Sequence, residues 1–229
     1  MGSLSQTSLA VDWRNGLWPE TLALVEFALD SVSARTKHLR YHNEAHSLQV
    51  VSAAPAIAIA RSMVPTSRDY QLVVLAAAFH DFYTELPSQN ELFSAKSAAI
   101  AMSEFAVFSE QDAQAVERMI QATEYKVQNS VIRQNVTAGD TLASIIADAD
   151  LAALGLSWSE FYQAATSFYE ERRLGYTPKS NSEIMRFLHE EVNVLSNHRF
   201  WLKESSVLFP HVQANAVRVK ALQTVHAAQ

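Results

Sequence analysis

Leu72-Val73-Val74-Leu75-Ala76-Ala77-Ala78-Phe79 is the longest uninterrupted apolar run in the chain, and it ends directly on His80-Asp81. Eight residues fall far short of the ~18 that a membrane span requires, so the run belongs to a protein interior. Thr66 and Asp69 stand at capping-box spacing ahead of it, with the shorter Asp in the Glu position. That spacing predicts a helix through Leu72, Leu75, Ala76 and Phe79. A His-Asp pair at the end of such a helix is costly to bury unless a charge compensates it. A divalent cation bound by neutral imidazole and carboxylate supplies that charge.

The composition around this run favours helices. Only 5 of 229 residues are Gly and 6 are Pro, where average usage is about 7% and 5%. A β-rich or dinucleotide-binding chain needs glycines for turns and phosphate loops, so the expectation is an all-α fold. Cysteine is absent, which excludes disulfides, thiolate metal sites and Cys nucleophiles. Lys plus Arg is 18 against 24 Asp plus Glu, a net charge of −6, and a protein that coats nucleic acid needs the opposite balance. Hydrophobic residues at 48% and charged residues at 18% exclude intrinsic disorder. The start Met1-Gly2-Ser3-Leu4-Ser5-Gln6 is close to a myristoylation signal but has Gln6 where Ser or Thr is required. With no signal peptide or span, a cytoplasmic location without membrane contact is the expectation.

Helix signals recur along the chain. Pro19 suits a first helical position, with Leu22, Val25, Leu29 and Val32 on one apolar face. A second helix is expected from about His42 towards Met63, kinked or broken at Pro55. Ser88 with Glu91 would open an Ala-rich helix ending near Phe108. Ser109 with Asp112, Asp140, and Ser157 with Glu160 are three further caps. Stretches at roughly 182–196 and 210–227 close the chain, with Pro210 suited to a first turn. Residues 124–139 read as a long polar connection, with no strand pair. Residues 1–16 read as an N-terminal tail and 17–229 as one helical domain.

Two other segments carry chemistry-bearing residues. In Tyr41-His42-Asn43-Glu44-Ala45-His46 the two histidines are four apart, one turn on a single helical face. Asp148-Ala149-Asp150 follows an apolar stretch, Leu142 to Ala147. His46 precedes His80 by 34 residues, and Asp150 follows Asp81 by 69.

Together these elements resemble the HD superfamily of metal-dependent phosphohydrolases, defined by a distant His, an adjacent His-Asp and a distal Asp. Phe79-His80-Asp81-Phe82-Tyr83, Asn90-Glu91-Leu92-Phe93-Ser94-Ala95 and Asp148 to Gly155 are similar to a subfamily pattern, and Gln213-Ala214-Asn215 matches it more loosely. The resemblance spans roughly residues 35–220 and is densest over 41–155. It implies an all-α, single-domain helical bundle of the HD-domain/phosphodiesterase-like type. It also implies a metal-dependent phosphoric ester hydrolase acting on a phosphomonoester or phosphodiester.

The resemblance implies His80 and Asp81 as central metal ligands. The Tyr-His-Asn-x-x-His arrangement is similar to cyclic-nucleotide phosphodiesterases of the same superfamily, which makes His46 the ligand and His42 the general-acid candidate. Ala149-Asp150-Leu151 matches the distal motif, with Asp148 as the alternative ligand. Glu85 and Glu91 stand where some members use a carboxylate to position water. Two His and two Asp suit one six-coordinate divalent ion such as Mn²⁺, Fe²⁺, Mg²⁺, Co²⁺ or Ni²⁺, with positions left for water and substrate. No histidine occurs between Asp81 and Asp150. The subfamily's Thr-x-x-His position reads Thr123-Glu124-Tyr125-Lys126, which points to a mononuclear site and leaves Lys126 as a candidate substrate-phosphate contact.

Plainer readings stand beside these. His80-Asp81 could be a paired helix end, His46 an ordinary polar helix residue, and His42 a hydrogen-bond donor behind the site. Glu91 could be a capping residue. Arg172 and Arg173 have a solvated face as default and a phosphate contact as alternative. Phe161, Tyr162, Phe168 and Tyr169 sit at core spacing, and His38, His189, His198, His211 and His226 have no partner at ligand spacing. The expected partner is a small phosphorylated compound, of nucleotide type. The alternatives are a cyclic-nucleotide or dinucleotide phosphodiesterase and a non-catalytic metal- or nucleotide-binding module.

Overall fold

The computed structural model describes residues 12–85, 89–128, 131–172 and 180–227. Ten α-helices run through the described residues: α1 Pro19–Arg35, α2 Glu44–Ala60, α3 Arg68–Phe79, α4 Asn90–Ser103, α5 Glu110–Gln121, α6 Thr141–Asp150, α7 Trp158–Arg172, α8 Asn181–Asn197, α9 Lys203–Leu208 and α10 Val212–Ala227. A short antiparallel hairpin, β1 Tyr125–Gln128 and β2 Val131–Gln134, joins α5 to α6. The fold is an all-α single-domain bundle. None of its described helices is long and apolar enough to cross a membrane.

The apolar run forms the centre of the bundle. Every residue of α3 from Tyr70 to Phe79 is buried, the behaviour of a helix that is apolar all round. It packs against α1, α2, α4, α5 and α6, and its three consecutive alanines let those helices approach closely. Gln71 is the one amide within this run, and its bonds are all internal. Its side chain accepts from Trp18 N at 2.9 Å and donates to the carbonyls of Gly16 and Pro65 at 3.0 and 2.7 Å. Trp13 is buried in the same core. The packed body therefore begins ahead of residue 17, within the segment expected as tail.

A second core cluster joins α7, α8 and α10, and Phe200 packs against both clusters. A 3₁₀ turn, Ala152–Gly155, connects α6 to this half. Asn215 of α10 is buried and donates to the carbonyls of Leu154 and Leu156 at 3.1 and 2.9 Å. Gly155 lies so close to Phe209 that a Cβ there would come within 2.3 Å of its carbonyl oxygen. The turn after Asp150 is thereby fixed from behind.

Several boundaries differ from the expectation. Helix α2 starts at Glu44, because Asn43 caps it by accepting from Ala45 N at 2.9 Å. His42 therefore lies in the preceding turn and does not share a helical face with His46. Pro55 leaves α2 unbroken, within a buried, Ala-rich stretch packed on α3 and α6. Helix α3 is capped by Ser67 in place of Thr66, and α4 ends at Ser103, well short of Phe108. Ser88 lies outside the described residues; Gln89 occupies the cap position of α4 without a side-chain bond. Part of the polar connection 124–139 is the β1–β2 hairpin. Pro210 precedes α10 by two residues, because His211 N donates to the Gly155 carbonyl at 3.1 Å.

Ser109 and Asp112 form the expected capping box of α5. Asp112 also binds Arg68 Nε at 2.6 Å, which with the Ser109 bonds holds its carboxyl down at about 2. Arg68 is 45% exposed, so the ion pair itself adds little and the cap dominates. We expect Asp112→Ala to cost about 1 kcal/mol in a urea titration at pH 7. The depressed folded value means that this contribution is complete above the unfolded carboxyl's ordinary range and is lost as pH falls towards 2. A difference between the two proteins that stays constant down to pH 2 would contradict the assignment.

Candidate metal centre

Three helix ends converge on one buried point. His46 sits in the first turn of α2, His80 and Asp81 follow the last turn of α3, and Asp150 is the final residue of α6. His46 Nε2 lies 3.2 Å from His80 Nε2, 3.4 Å from Asp81 Oδ2 and 3.3 Å from Asp150 Oδ1. His80 Nε2 lies 3.2 Å from Asp81 Oδ2 and 3.8 Å from Asp150 Oδ1. The His80 Nδ1 proton goes to the Ala77 carbonyl at 2.8 Å. That bond fixes the tautomer and aims the Nε2 lone pair at the cluster.

His46, His80 and Asp81 form a group that could hold a metal ion. Bonds of about 2.1 Å place neighbouring ligand atoms about 3.0–3.4 Å apart in octahedral or tetrahedral sites, and four of the five separations fall in or near that range. Asp81 Oδ2 is buried without a hydrogen bond, which is costly unless a cation meets it. Burial acts against charge on His46, yet the Asp150 and Asp81 carboxylates beside it raise its pKa to about 9. On Asp81, burial opposes ionisation, but the His80 and His42 rings outweigh it and hold the carboxyl well below its usual range. The cluster attracts positive charge.

No family model and no curated protein matches this chain.

His42 stands beside the cluster, its ring centroid 5.9 Å from that of His46. Its Nδ1 proton is donated to Glu171 of α7, and Glu171 also accepts from the Tyr41 and His42 backbone amides at 2.7 and 3.0 Å. Burial disfavours the protonated ring, but the Asp81 charge and the Glu171 bond prevail and raise its pKa. Tyr41 lies over His46 with centroids 4.5 Å apart.

A cavity of about 130 Å³, open to solvent, has Asp81 and Asp150 in its lining with Tyr41 and His42 beside them. The apolar part of its lining is Leu154 with Phe161, Ala164, Ala165 and Phe168 of α7, and the Phe168 ring meets the Tyr41 and His42 rings with centroids 5.2 and 5.8 Å apart. Glu91, Thr123, Tyr125, Arg172 and Glu191 also line it. Glu91 comes from the first turn of α4, and burial raises its carboxyl.

The cluster and cavity include most of the candidates and leave out two. Glu85 is 55% exposed, pairs with Arg35 at 3.9 Å and is not part of the lining. Lys126 is 70% exposed and pairs with Glu124 at 3.8 Å. It follows Tyr125 on β1, and alternation along a strand turns successive side chains to opposite sides, so Tyr125 lines the cavity and Lys126 does not. Asp148 is buried but faces away from Asp150, two residues being about 200° of helix. It accepts from Trp201 N and Leu202 N at 2.8 and 2.9 Å, and burial raises it to about 6. Arg172 is exposed, as the solvated default has it, and also lines the cavity. Arg173 lies outside the described residues. Phe161 and Phe168 line the cavity, and Tyr162 is partly exposed, packed on Trp158.

The Glu171–His42 pair, Tyr41, Tyr125 and Glu191 had no individual signal in the sequence. The α7 spacing 161, 164, 165, 168 marks an apolar face, but a face against a cavity has the same spacing as one against a core.

The two carboxylates of α6 are separable by experiment. Asp150→Ala is expected to weaken divalent-metal binding by more than about tenfold with little change in melting temperature of the metal-free protein. Asp148→Ala leaves two part-buried amides without an acceptor and is expected to cost about 1 kcal/mol, with metal content unchanged. Elemental analysis and thermal denaturation of both variants read out the two effects.

Proposed function

We propose that this chain is a metal-dependent phosphohydrolase of the HD type, cleaving a phosphomonoester or phosphodiester of a small compound such as a nucleotide. The observation that carries the reading is the convergence of His46, His80, Asp81 and Asp150 beside an open cavity. These four residues would hold one divalent ion. A bound cation supplies Lewis acidity, drawing the pKa of a coordinated water towards ~7 and neutralising charge on phosphoryl oxygens.

The chain's own groups supply the rest. His42, protonated through its Glu171 partner, can give a proton to the leaving oxygen at the edge of the site. Glu171 keeps the ring in place by accepting three bonds from the Tyr41–His42 turn, so the acid is oriented by α7 while the ligands come from α2, α3 and α6. Glu91 is a carboxylate within the same cavity that can accept a proton from water. The apolar α7 wall reduces water around the bound ester and so strengthens each of these electrostatic contacts.

Hydrolysis of phosphate esters by the metal-loaded protein tests the proposal. Asp81→Ala is expected to abolish hydrolysis with the helical fold retained by circular dichroism; undiminished turnover would sink the idea. One metal per chain in the wild type and none in a His80→Ala, Asp81→Ala double variant is the matching stoichiometry. For the acid, Glu171→Gln is expected to lower kcat by about 10- to 100-fold with metal content unchanged. Loss of the carboxylate lowers the His42 pKa, so the alkaline limb of the kcat profile should move to lower pH. A limb that does not move assigns Glu171 to structure alone.

A further inference from the structure

The cavity holds more than the proposed catalytic groups require, and the excess has a clear chemical character. Its apolar lining includes a helical stripe, Phe161, Ala164, Ala165 and Phe168, each on the same face of α7. Two of these four are alanines, and Ala153 of the 3₁₀ turn lies on the same lining. Small side chains between two phenyl rings leave space for a ring or short hydrocarbon and give it no hydrogen-bonding partner.

The charges along the same surface are unequal. Asp81 and Asp150 belong to the proposed cation and are neutralised by it. Glu91 and Glu191 remain. Against them the described lining has a single permanent cation, Arg172, whose guanidinium stacks near the Phe168 ring at 5.6 Å. Its neighbour Glu171 is bonded to His42, so Arg172 lies one residue along the chain from the group that orients the proposed acid. Lys126, the other candidate for a phosphate, is turned out to solvent. One metal and one guanidinium match one phosphoryl group. Each additional anionic group would enter a partly apolar space without a partner and would meet two carboxylates.

Resting on the phosphohydrolase reading, we propose that the cavity selects esters with a single phosphoryl group on a compact, uncharged and largely apolar organic part. Arg172 takes the phosphoryl charge beside the cation, and the α7 stripe takes the organic part. Glu191, one turn from Val194 on α8, lines the same cavity and accepts a hydrogen bond from a hydroxyl or amino group of that part. Burial, reinforced by Glu190 and opposed by Arg172, raises the Glu191 carboxyl to about 7.

Non-hydrolysable phosphonates test the selection separately from turnover. Titration calorimetry on the metal-loaded protein would compare methylphosphonate, phenylphosphonate and 4-carboxyphenylphosphonate, the last adding a negative charge too remote to chelate the same ion. Phenylphosphonate is expected to bind at least about tenfold more tightly than methylphosphonate, from burial of the ring, and about tenfold more tightly than the carboxylated ring. Ala164→Leu fills the stripe and is expected to remove the preference for phenyl while leaving methylphosphonate binding unchanged. Arg172→Gln, at the exposed rim, is expected to weaken phenyl- and methylphosphonate by the same factor of about ten, so the inference stays testable should Ala164→Leu fail to fold. Equal binding of phenyl- and methylphosphonate, or tighter binding of the carboxylated ring, overturns it. Metal content of the same samples separates the two levels: a protein that takes up no metal defeats the phosphohydrolase reading and this one with it. A metal-loaded protein without the preference defeats only this one.

Discussion

Two imidazoles and two carboxylates meet within 3.2–3.8 Å below the surface, and that crowding of lone pairs is the constraint the rest of the structure serves. Each group alone would be expensive to bury. They are affordable together only because they come from helix ends, where the backbone already turns away from the core and a side chain can reach a common point. The bundle therefore has to bring the start of α2 and the ends of α3 and α6 to one place. Helix α3 is buried along nearly its whole length and α6 along most of its own, so neither can slide without opening the core. Rigidity of the cluster is a by-product of apolar packing several residues away.

Around this cluster the protein divides its work between two packing units. The main core supplies the convergent donors. The second cluster, with α7 and α8, supplies the apolar cavity side, Arg172, Glu191 and the Glu171 partner of His42. The link between the units is narrow but well fastened. Asn215 binds two carbonyls of the segment after Asp150, Gly155 is pressed on Phe209, and Asp148 holds the Trp201–Leu202 amides behind α6. These contacts keep the cavity side in register with the donors by bonds that never touch the site.

The parts legible in the sequence were those written in local chemistry. Scarce glycine and the run Leu72–Phe79 indicated a helical bundle around one buried helix, and the caps at Ser109 and Asp140 are where their spacing placed them. The donors His46, His80, Asp81 and Asp150 could be selected by resemblance, and the structure brings those four together. What escaped was set by tertiary placement. His42 left the helical face because Asn43 is the better cap, and Lys126 turned outward because a hairpin formed where only polarity was visible. Asp148 and Asp150 differ by helical rotation alone. Glu171 stands in a charged run 129 residues from His42, and no local pattern marks such a pairing.

That division has a consequence for how this scaffold can change. A substitution at His80 or Asp81 alters the donor set and the core in one step, since both follow directly from the most buried helix. A substitution at Ala164 or Glu191 alters what the cavity side presents and leaves the donor helices alone, because α7 and α8 contact those helices through few residues. The cavity lining can therefore vary without disturbing the donors, whereas the donors cannot vary without disturbing the core. His42 is the exception, held by Glu171 from the side of α7 and standing beside His46 of α2. It is the point where a shift of α7 would be felt beside the donor cluster, and the three hydrogen bonds that Glu171 accepts there are what restrain it.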